Sequence, residues 1–288
     1  MSEFEKIAVI TDTACDLPKE YISSRKNLFV LPLRLTVDGK SLADGKDITT
    51  EEVLLKMEAG NIPKTSLPAP EDVEGIFEKL KEEGYKKAVC VHITAGLSGT
   101  LGMMRLLAEQ YKDDIETVFF DTKILSMSEG YCVMNALELI EAGTPFEKII
   151  EKMDVLREDV DGFFYISTLK YLAVGGRIGG VAKYLGNLMN IKPVIGCDSE
   201  GKYYPRKICI GAKRTLLTAR DECRNFVRNF RSEVTVLHAG ALQEAEKLAD
   251  SIKAVCGNIR VSISELTPSL SVHVGRGMMA VCTRRFSE

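Results

Sequence analysis

The sequence predicts an α/β protein of two domains, a doubly wound and mostly parallel sheet over residues 1–160 and an α+β domain over 161–288. Three observations carry that reading. At 288 residues the chain exceeds most single hydrophobic cores, which sets the expected number of domains at about two. In the first half, short apolar runs alternate with stretches of helical period, and each run ends in hydroxyl or acidic residues. In the second half strand-like runs follow one another more closely, and Asp198-Ser199-Glu200-Gly201 has the composition of a hairpin turn.

Taken in order, residues 7–10 form the first strand, which ends in Thr11-Asp12-Thr13. Asp16 is placed to cap the following helix and Pro18 to open it. Residues 29–37 read as one strand ahead of an Asp38-Gly39 turn. A helix opens near Asp47 and runs to about Ala59. Residues 64–70 are extended, stiffened by Pro68 and Pro70 and bearing the hydroxyls of Thr65 and Ser66, and a helix over 71–83 follows. The strand at 88–93 leads into a helix whose Met104, Leu107, Ala108 and Tyr111 share one face. A third strand, 117–120, ends in Asp121-Thr122, and helices over 127–142 and 145–157 close the first half. Beyond 160 the expected strands are 162–166, 192–196, 203–210, 233–238, 259–265 and 278–284. The expected helices lie near 181–190, 212–230 and 241–256.

In a parallel sheet ligands sit outside the carboxyl ends of the strands, so residues 11–13, 94–100 and 121–122 converge on one edge. The richest of these stretches is Ile93-Thr94-Ala95-Gly96-Leu97-Ser98-Gly99-Thr100. Glycines let a ligand approach the backbone, hydroxyls add donors, and a helix N-terminus favours negative charge, which together make a site for a small anion. The same residues also serve an ordinary βα turn capped by Ser98 or Thr100.

Other candidates are fewer. His273-Val274-Gly275-Arg276-Gly277 sets an imidazole and a guanidinium among glycines, between two expected strands. His92 lies in an apolar run, as a core histidine does. The run Gly96-Leu97-Ser98-Gly99-Thr100 is one residue out of register with a Gly-x-Ser-x-Gly nucleophile elbow, and no lysine follows the glycines as a phosphate loop requires. No catalytic residue is therefore assigned. The eight cysteines show no CxxC and no Cys/His spacing for a metal, so they read as reduced and structural in a cytoplasmic protein without metal. The amino terminus fits no signal peptide, no apolar run is long enough to span a membrane, and a net charge of −3 gives no pull toward nucleic acid. Residues 202–231 are basic, with Arg220, Arg224 and Arg228 spaced by four along one helix face.

Six motifs in order resemble the DegV family: Thr11-Asp12-Thr13-Ala14-Cys15-Asp16-Leu17-Pro18, Thr65-Ser66-Leu67-Pro68, Gly96-Leu97-Ser98-Gly99-Thr100, Leu172-Ala173-Val174-Gly175-Gly176-Arg177-Ile178, Ile191-Lys192-Pro193-Val194 and His273-Val274-Gly275. The resemblance implies a long-chain fatty acid bound between the two domains. Its carboxylate would lie at Thr65, Ser66, Ser98, Gly99, His273 and Gly275, with no cofactor besides the fatty acid. It further implies a lipid-binding protein, not itself an enzyme, that serves as the subunit of a bacterial fatty acid kinase presenting the acyl carboxylate to a separate ATP-using kinase subunit. Arg177, with Arg220 and Arg224, is expected to dock that partner. Slot residues expected from the apolar runs are Phe163, Phe164, Leu185, Leu188, Met189, Met278 and Met279. Arg276 stands where the family often has proline, Leu67 where it often has glutamine, and Thr94-Ala95 where Ser-Ser is common. The alternatives are a hydrolase-like enzyme at the Ser98/His273 cleft and a regulatory module using the basic 202–231 segment.

Overall fold

The computed structural model describes residues 6–184 and 191–286. The first half runs β1 (Ile7–Asp12), α1 (Lys19–Ser23), β2 (Leu28–Leu31), β3 (Arg34–Val37), β4 (Lys40–Ala43), α2 (Thr50–Glu58) and β5 (Lys64–Ser66). It continues through α3 (Pro70–Glu82), β6 (Lys87–His92), α4 (Thr100–Ala108), β7 (Glu116–Asp121), α5 (Met127–Glu141) and α6 (Ile149–Arg157). The second half holds β8 (Val160–Tyr165), α7 (Lys170–Val174), β9 (Ile191–Cys197), β10 (Tyr203–Ile210), α8 (Ala212–Val227) and β11 (Arg231–His238). It ends with α9 (Leu242–Lys253), β12 (Ile259–Glu265), α10 (Pro268–Val274) and β13 (Met279–Phe286).

The first sheet has the order β2-β1-β6-β7 and is parallel throughout. The chain leaves β1 toward β2 and later returns to β6 on its other side, so the topological switch lies between β1 and β6. A small antiparallel sheet, β4-β3-β5, carries Thr65 and Ser66 on its edge strand. The second sheet, β10-β9-β8-β13-β11-β12, is mixed: only β11 and β12 pair in parallel. The doubly wound parallel domain and the α+β domain read from the sequence are both present.

Side-chain alternation divides the second sheet into two faces. Phe163, Val194, Val236, Met279 and Val281 pack beneath α8 and α9, while Phe164, Ile195, Leu237, Ala280 and Cys282 turn to the first domain. The outer face of the first sheet, through Ala8, Ile10 and Cys90, packs against Val73, Phe77 and Leu80 of α3 and Met104 of α4. Between the sheets lies α5, in contact with β1, β6, β8 and β13, which is why its first six residues are all buried. The order of layers is thus α3 and α4, first sheet, α5 and a cavity, second sheet, α8 and α9.

Several sequence expectations are corrected. Residues 29–37 are two strands in two sheets, because Pro32 lacks the N–H that a continuous ladder needs. Asp16 does not cap α1, whose N-cap is Pro18; it adopts a left-handed conformation after a short 3-10 turn, and its carboxylate reaches elsewhere. The stretch before Gly275, expected to be a connection between strands, contains α10, opened by Pro268 at its first position and ended by Gly275 at φ 73°. By contrast, α2 begins as its sequence requires: Thr49 Oγ1 accepts from Glu52 N–H while the Glu52 carboxylate accepts from Thr49 N–H, a reciprocal cap.

Candidate functional site

A cavity of about 300 Å³ lies between the two sheets. Most of its wall is apolar, from Leu33 of the first domain and Ile93, Leu97 and Ile124 at strand ends to Phe164, Met278 and Ala280 of the second. Thr65, Ser66, Ser98, Arg177 and His273 also line it, and they come from four separate segments. The β6–α4 loop places Ser98 and β5 supplies Thr65 and Ser66, whereas α10 brings in His273 from the second domain.

His273 Nε2 lies 3.0 Å from Thr65 Oγ1. Its Nδ1 is buried without a partner, against Gly175, where an added Cβ would stand 2.3 Å away. A buried orphan N–H is rarer than an orphan lone pair, so the favoured tautomer carries its proton on Nε2 and donates it to Thr65. Burial, and then the charge of Arg177, push the imidazole down to about 4, so His273 is neutral at neutral pH. Thr65 is then free to donate its own hydroxyl proton into the cavity.

Ser98 Oγ accepts from Thr100 N–H at 3.2 Å and shares a 2.8 Å hydrogen bond with Thr100 Oγ1. Ser98 and His273 therefore share the cavity with hydrogen bonds to different partners, Thr100 and Thr65, and do not form a nucleophile–base pair. Arg177, expected on the outer surface, is on the cavity wall. Its Nε donates to Leu97 O at 3.3 Å and its Nη1 to Gly175 O, tying the β6–α4 loop of the first domain to the turn after α7. A local reading of Gly-Gly-Arg could not reveal the Leu97 carbonyl that holds it.

Gly99 and Gly275 are not part of the lining. Gly99 is the N-cap of α4, and Gly275 ends α10 under the Tyr171 ring, where a Cβ would lie 2.4 Å from Cε2. Of the expected slot residues, Phe164 and Met278 line the cavity; Phe163 borders it but, like Met279, packs into the α8 and α9 core on the other face of the sheet. Leu185, Leu188 and Met189 lie outside the described residues. Arg276 turns away from the cavity and clasps α2, donating from Nε to Glu58 at 2.6 Å and from Nη1 and Nη2 to Glu51 at 3.0 and 2.9 Å. Arg220, Arg224 and Arg228 run along α8 and its C-cap, across the second sheet from the cavity.

Two further residues hold the site and gave no local signal in the sequence. Asp16 accepts from Ser126 Oγ at 2.5 Å and from Thr267 N–H at 2.9 Å. Asp44 accepts from Thr13 Oγ1 at 2.7 Å and from Ser269 N–H and Oγ at 3.0 and 2.5 Å. Two buried carboxylates of the first domain thus grip the amino end of α10, the helix that carries His273. Burial pushes Asp16 up to about 7, against the lowering effect of the hydrogen bonds from Ser126 and Thr267, and raises Asp44 as well. Deeper still, His92 Nδ1 and Asp12 Oδ2 meet at 2.8 Å, both fully buried and apart from the cavity lining. Its Nε2 has no partner, so His92 is a core histidine with only one nitrogen satisfied.

Among the described residues no group of three or more His, Cys, Asp and Glu side chains could hold a metal, and no helix is long and apolar enough to cross a membrane.

The family described as "uncharacterised protein, DegV family" matches residues 6–285. A DegV domain-containing protein of Clostridium acetobutylicum is 35% identical over 277 residues, which cover 96% of this chain and 98% of its own. The fold is similar to that of a DegV family protein from Thermus thermophilus solved for its fatty acid binding, with a TM-score of 0.89, 27% identity and coverage of 98% of this chain and 100% of that one. It is likewise similar to a fatty acid binding DegV family protein from Streptococcus agalactiae, with a TM-score of 0.88, 27% identity and the same coverage. The six ordered motifs, the two-sheet architecture and a match across nearly the whole length agree: the chain belongs to the DegV family.

Proposed function

We propose that this chain binds a long-chain fatty acid, with its carboxylate at Thr65, Ser66, Ser98 and His273 and its tail between the two sheets. The observation that carries the proposal is a single cavity with hydroxyl, imidazole and guanidinium groups set in an otherwise apolar wall. Fatty acid binding by the Thermus thermophilus and Streptococcus agalactiae proteins supports it. Burying about fourteen methylenes at about 0.8 kcal/mol each gives on the order of 11 kcal/mol before association and ordering costs. One neutral hydrogen bond nets only about 1 kcal/mol. The tail therefore supplies most of the affinity, and the polar groups orient the carboxylate.

In the same proposal the chain is a cytoplasmic lipid-binding subunit that needs no cofactor. It presents the bound carboxylate to a separate ATP-dependent kinase subunit and performs no catalytic step itself. The partners of Ser98 and His273 support this division of labour, since neither activates the other. Mass spectrometry of an organic extract of the purified protein is the test. One equivalent of a long-chain fatty acid is expected, and delipidated protein should regain it. An empty extract together with no binding to a panel of fatty acids would overturn the proposal.

A further inference from the structure

Two serines line the cavity besides those assigned to the carboxylate. Ser126, just before α5, and Ser269, in the first turn of α10, are 5% and 1% exposed. One comes from the first domain and the other from the second, and Asp16 links their segments. Its carboxylate accepts from Ser126 Oγ and from the N–H of Thr267, two residues before Ser269. Ser269 also precedes His273 by four residues, so the two share one stripe of α10, about 6 Å apart along the helix. Around this second polar point the wall is apolar, from Leu266, Leu270 and Val274.

The hydrogen bonds behind the wall decide what these hydroxyls offer in front of it. Ser126 Oγ donates to Asp16 at 2.5 Å, and Ser269 Oγ donates to Asp44 at 2.5 Å. Asp44 also takes the Ser269 N–H and the Thr13 hydroxyl, so it is saturated with donors. A serine has one proton to give, and each of these has given it to a carboxylate. What both oxygens retain is lone pairs. Ser126 holds its place in a strained backbone conformation, φ 61° and ψ −153°, that glycine adopts far more readily.

We propose that Ser126 and Ser269 form a second polar subsite, which accepts a hydrogen bond from a hydroxyl group on the acyl chain. The site then takes hydroxylated long-chain fatty acids, with the hydroxyl in the half of the chain nearer the carboxylate. This inference rests on the fatty acid reading and narrows its ligand class. The position follows from α10: with the carboxylate at His273, Ser269 is one helix turn away. An extended chain of eighteen carbons spans roughly 20 Å at about 1.2 Å per bond, so one turn falls within its first half. The polarity follows from the lone pairs. A chain hydroxyl brings the donor that the two serines lack, whereas an oxo group brings only further lone pairs. A hydroxyl placed against the apolar wall elsewhere loses its water without a partner.

The test titrates delipidated full-length protein at about pH 8, where Asp16, raised by burial to about 7, is ionised. The ligands are stearic acid, hydroxystearic acids with the hydroxyl moved stepwise along the chain, and the oxo acid matching the tightest of these. One isomer of the carboxyl half should bind at least as tightly as stearic acid. Isomers of the methyl half and the matching oxo acid should bind about tenfold more weakly than that isomer, the scale of one buried hydrogen bond. Ser126→Gly, which also relieves the backbone, and Ser269→Ala should each lower the ratio of hydroxy acid to stearic acid affinity about tenfold. Stearic acid binding about tenfold tighter than every hydroxy isomer would overturn the inference and leave the fatty acid reading standing, whatever the variants do. A ratio unchanged in both variants would also overturn it. Failure of stearic acid and the whole series together would overturn both.

Discussion

Thr65 and His273, separated by 208 positions in the chain, meet at 3.0 Å on the cavity wall. Through this contact β5 of the first domain and α10 of the second share one hydrogen bond. The neutral imidazole donates to Thr65 and leaves the threonine proton available to an anion. The same pair of atoms thus bridges the two domains and, in the proposed function, helps to orient the carboxylate.

Thr65→Val keeps the shape of the side chain and removes the hydroxyl. Affinity for a long-chain fatty acid should fall by about 1–2 kcal/mol, the scale of one hydrogen bond and an unpaired His273. Shortening the ligand by six methylenes should cost more, up to roughly 5 kcal/mol. Titration calorimetry with a chain-length series on both proteins measures the two effects together. If the valine substitution cost more than the shortened tail, the head group would dominate affinity and the proposed division between tail and head would be wrong.

A pH-dependent stability is expected from Asp16. Burial raises its carboxyl from the ordinary 3.8 to about 7, so the folded state binds that proton more tightly than the unfolded state. The contribution to stability is full below the unfolded value and is lost as pH rises toward about 7, at up to roughly 1.4 kcal/mol per pH unit. Asp16→Asn imitates the protonated acid: its Oδ1 still accepts from Thr267 N–H, and its amide donates to Ser126. Relative to the parent, the variant should gain melting temperature from about pH 5 to about pH 7 and then level off, since other groups cancel in the comparison. Parallel melting curves across that interval would show that Asp16 does not titrate there.

Strand ends and amphipathic helices were legible because they depend on neighbours in sequence. The β6–α4 loop at residues 94–100 and the Thr65-Ser66 segment could be located for that reason. What could not be read was tertiary. Asp16 and Asp44 look like turn residues until the segment before α10 is brought against them from some 225–250 positions away. Short α10 offers too few residues for a helical period, and its Ser269, Ser271 and His273 are uncommon helix formers. Arg276 looks like a residue at the ligand until Glu51 and Glu58 are seen to hold it.

The placement of Arg177 changes what its removal should do. Alone in sequence it reads as a docking cation; on the cavity wall it joins Leu97 O to Gly175 O and brings positive charge beside His273. Arg177→Ala should therefore weaken fatty acid binding by about tenfold or more, the scale of losing a charge-assisted contact and the loop it steadies. The stripe on α8 behaves oppositely. Arg220, Arg224 and Arg228 are divided from the cavity by the second sheet, so replacing all three with Gln should leave ligand affinity unchanged. If an acidic kinase subunit docks on that stripe, the triple variant should associate more weakly at low salt, with the difference fading as salt screens surface charge. Fatty acid titration and kinase association, measured on both variants over a range of salt, separate the two roles. Unchanged fatty acid affinity in Arg177→Ala, with kinase association lost, would return Arg177 to the docking surface. Lost fatty acid affinity in the triple variant would mean that α8 acts on the cavity through the sheet.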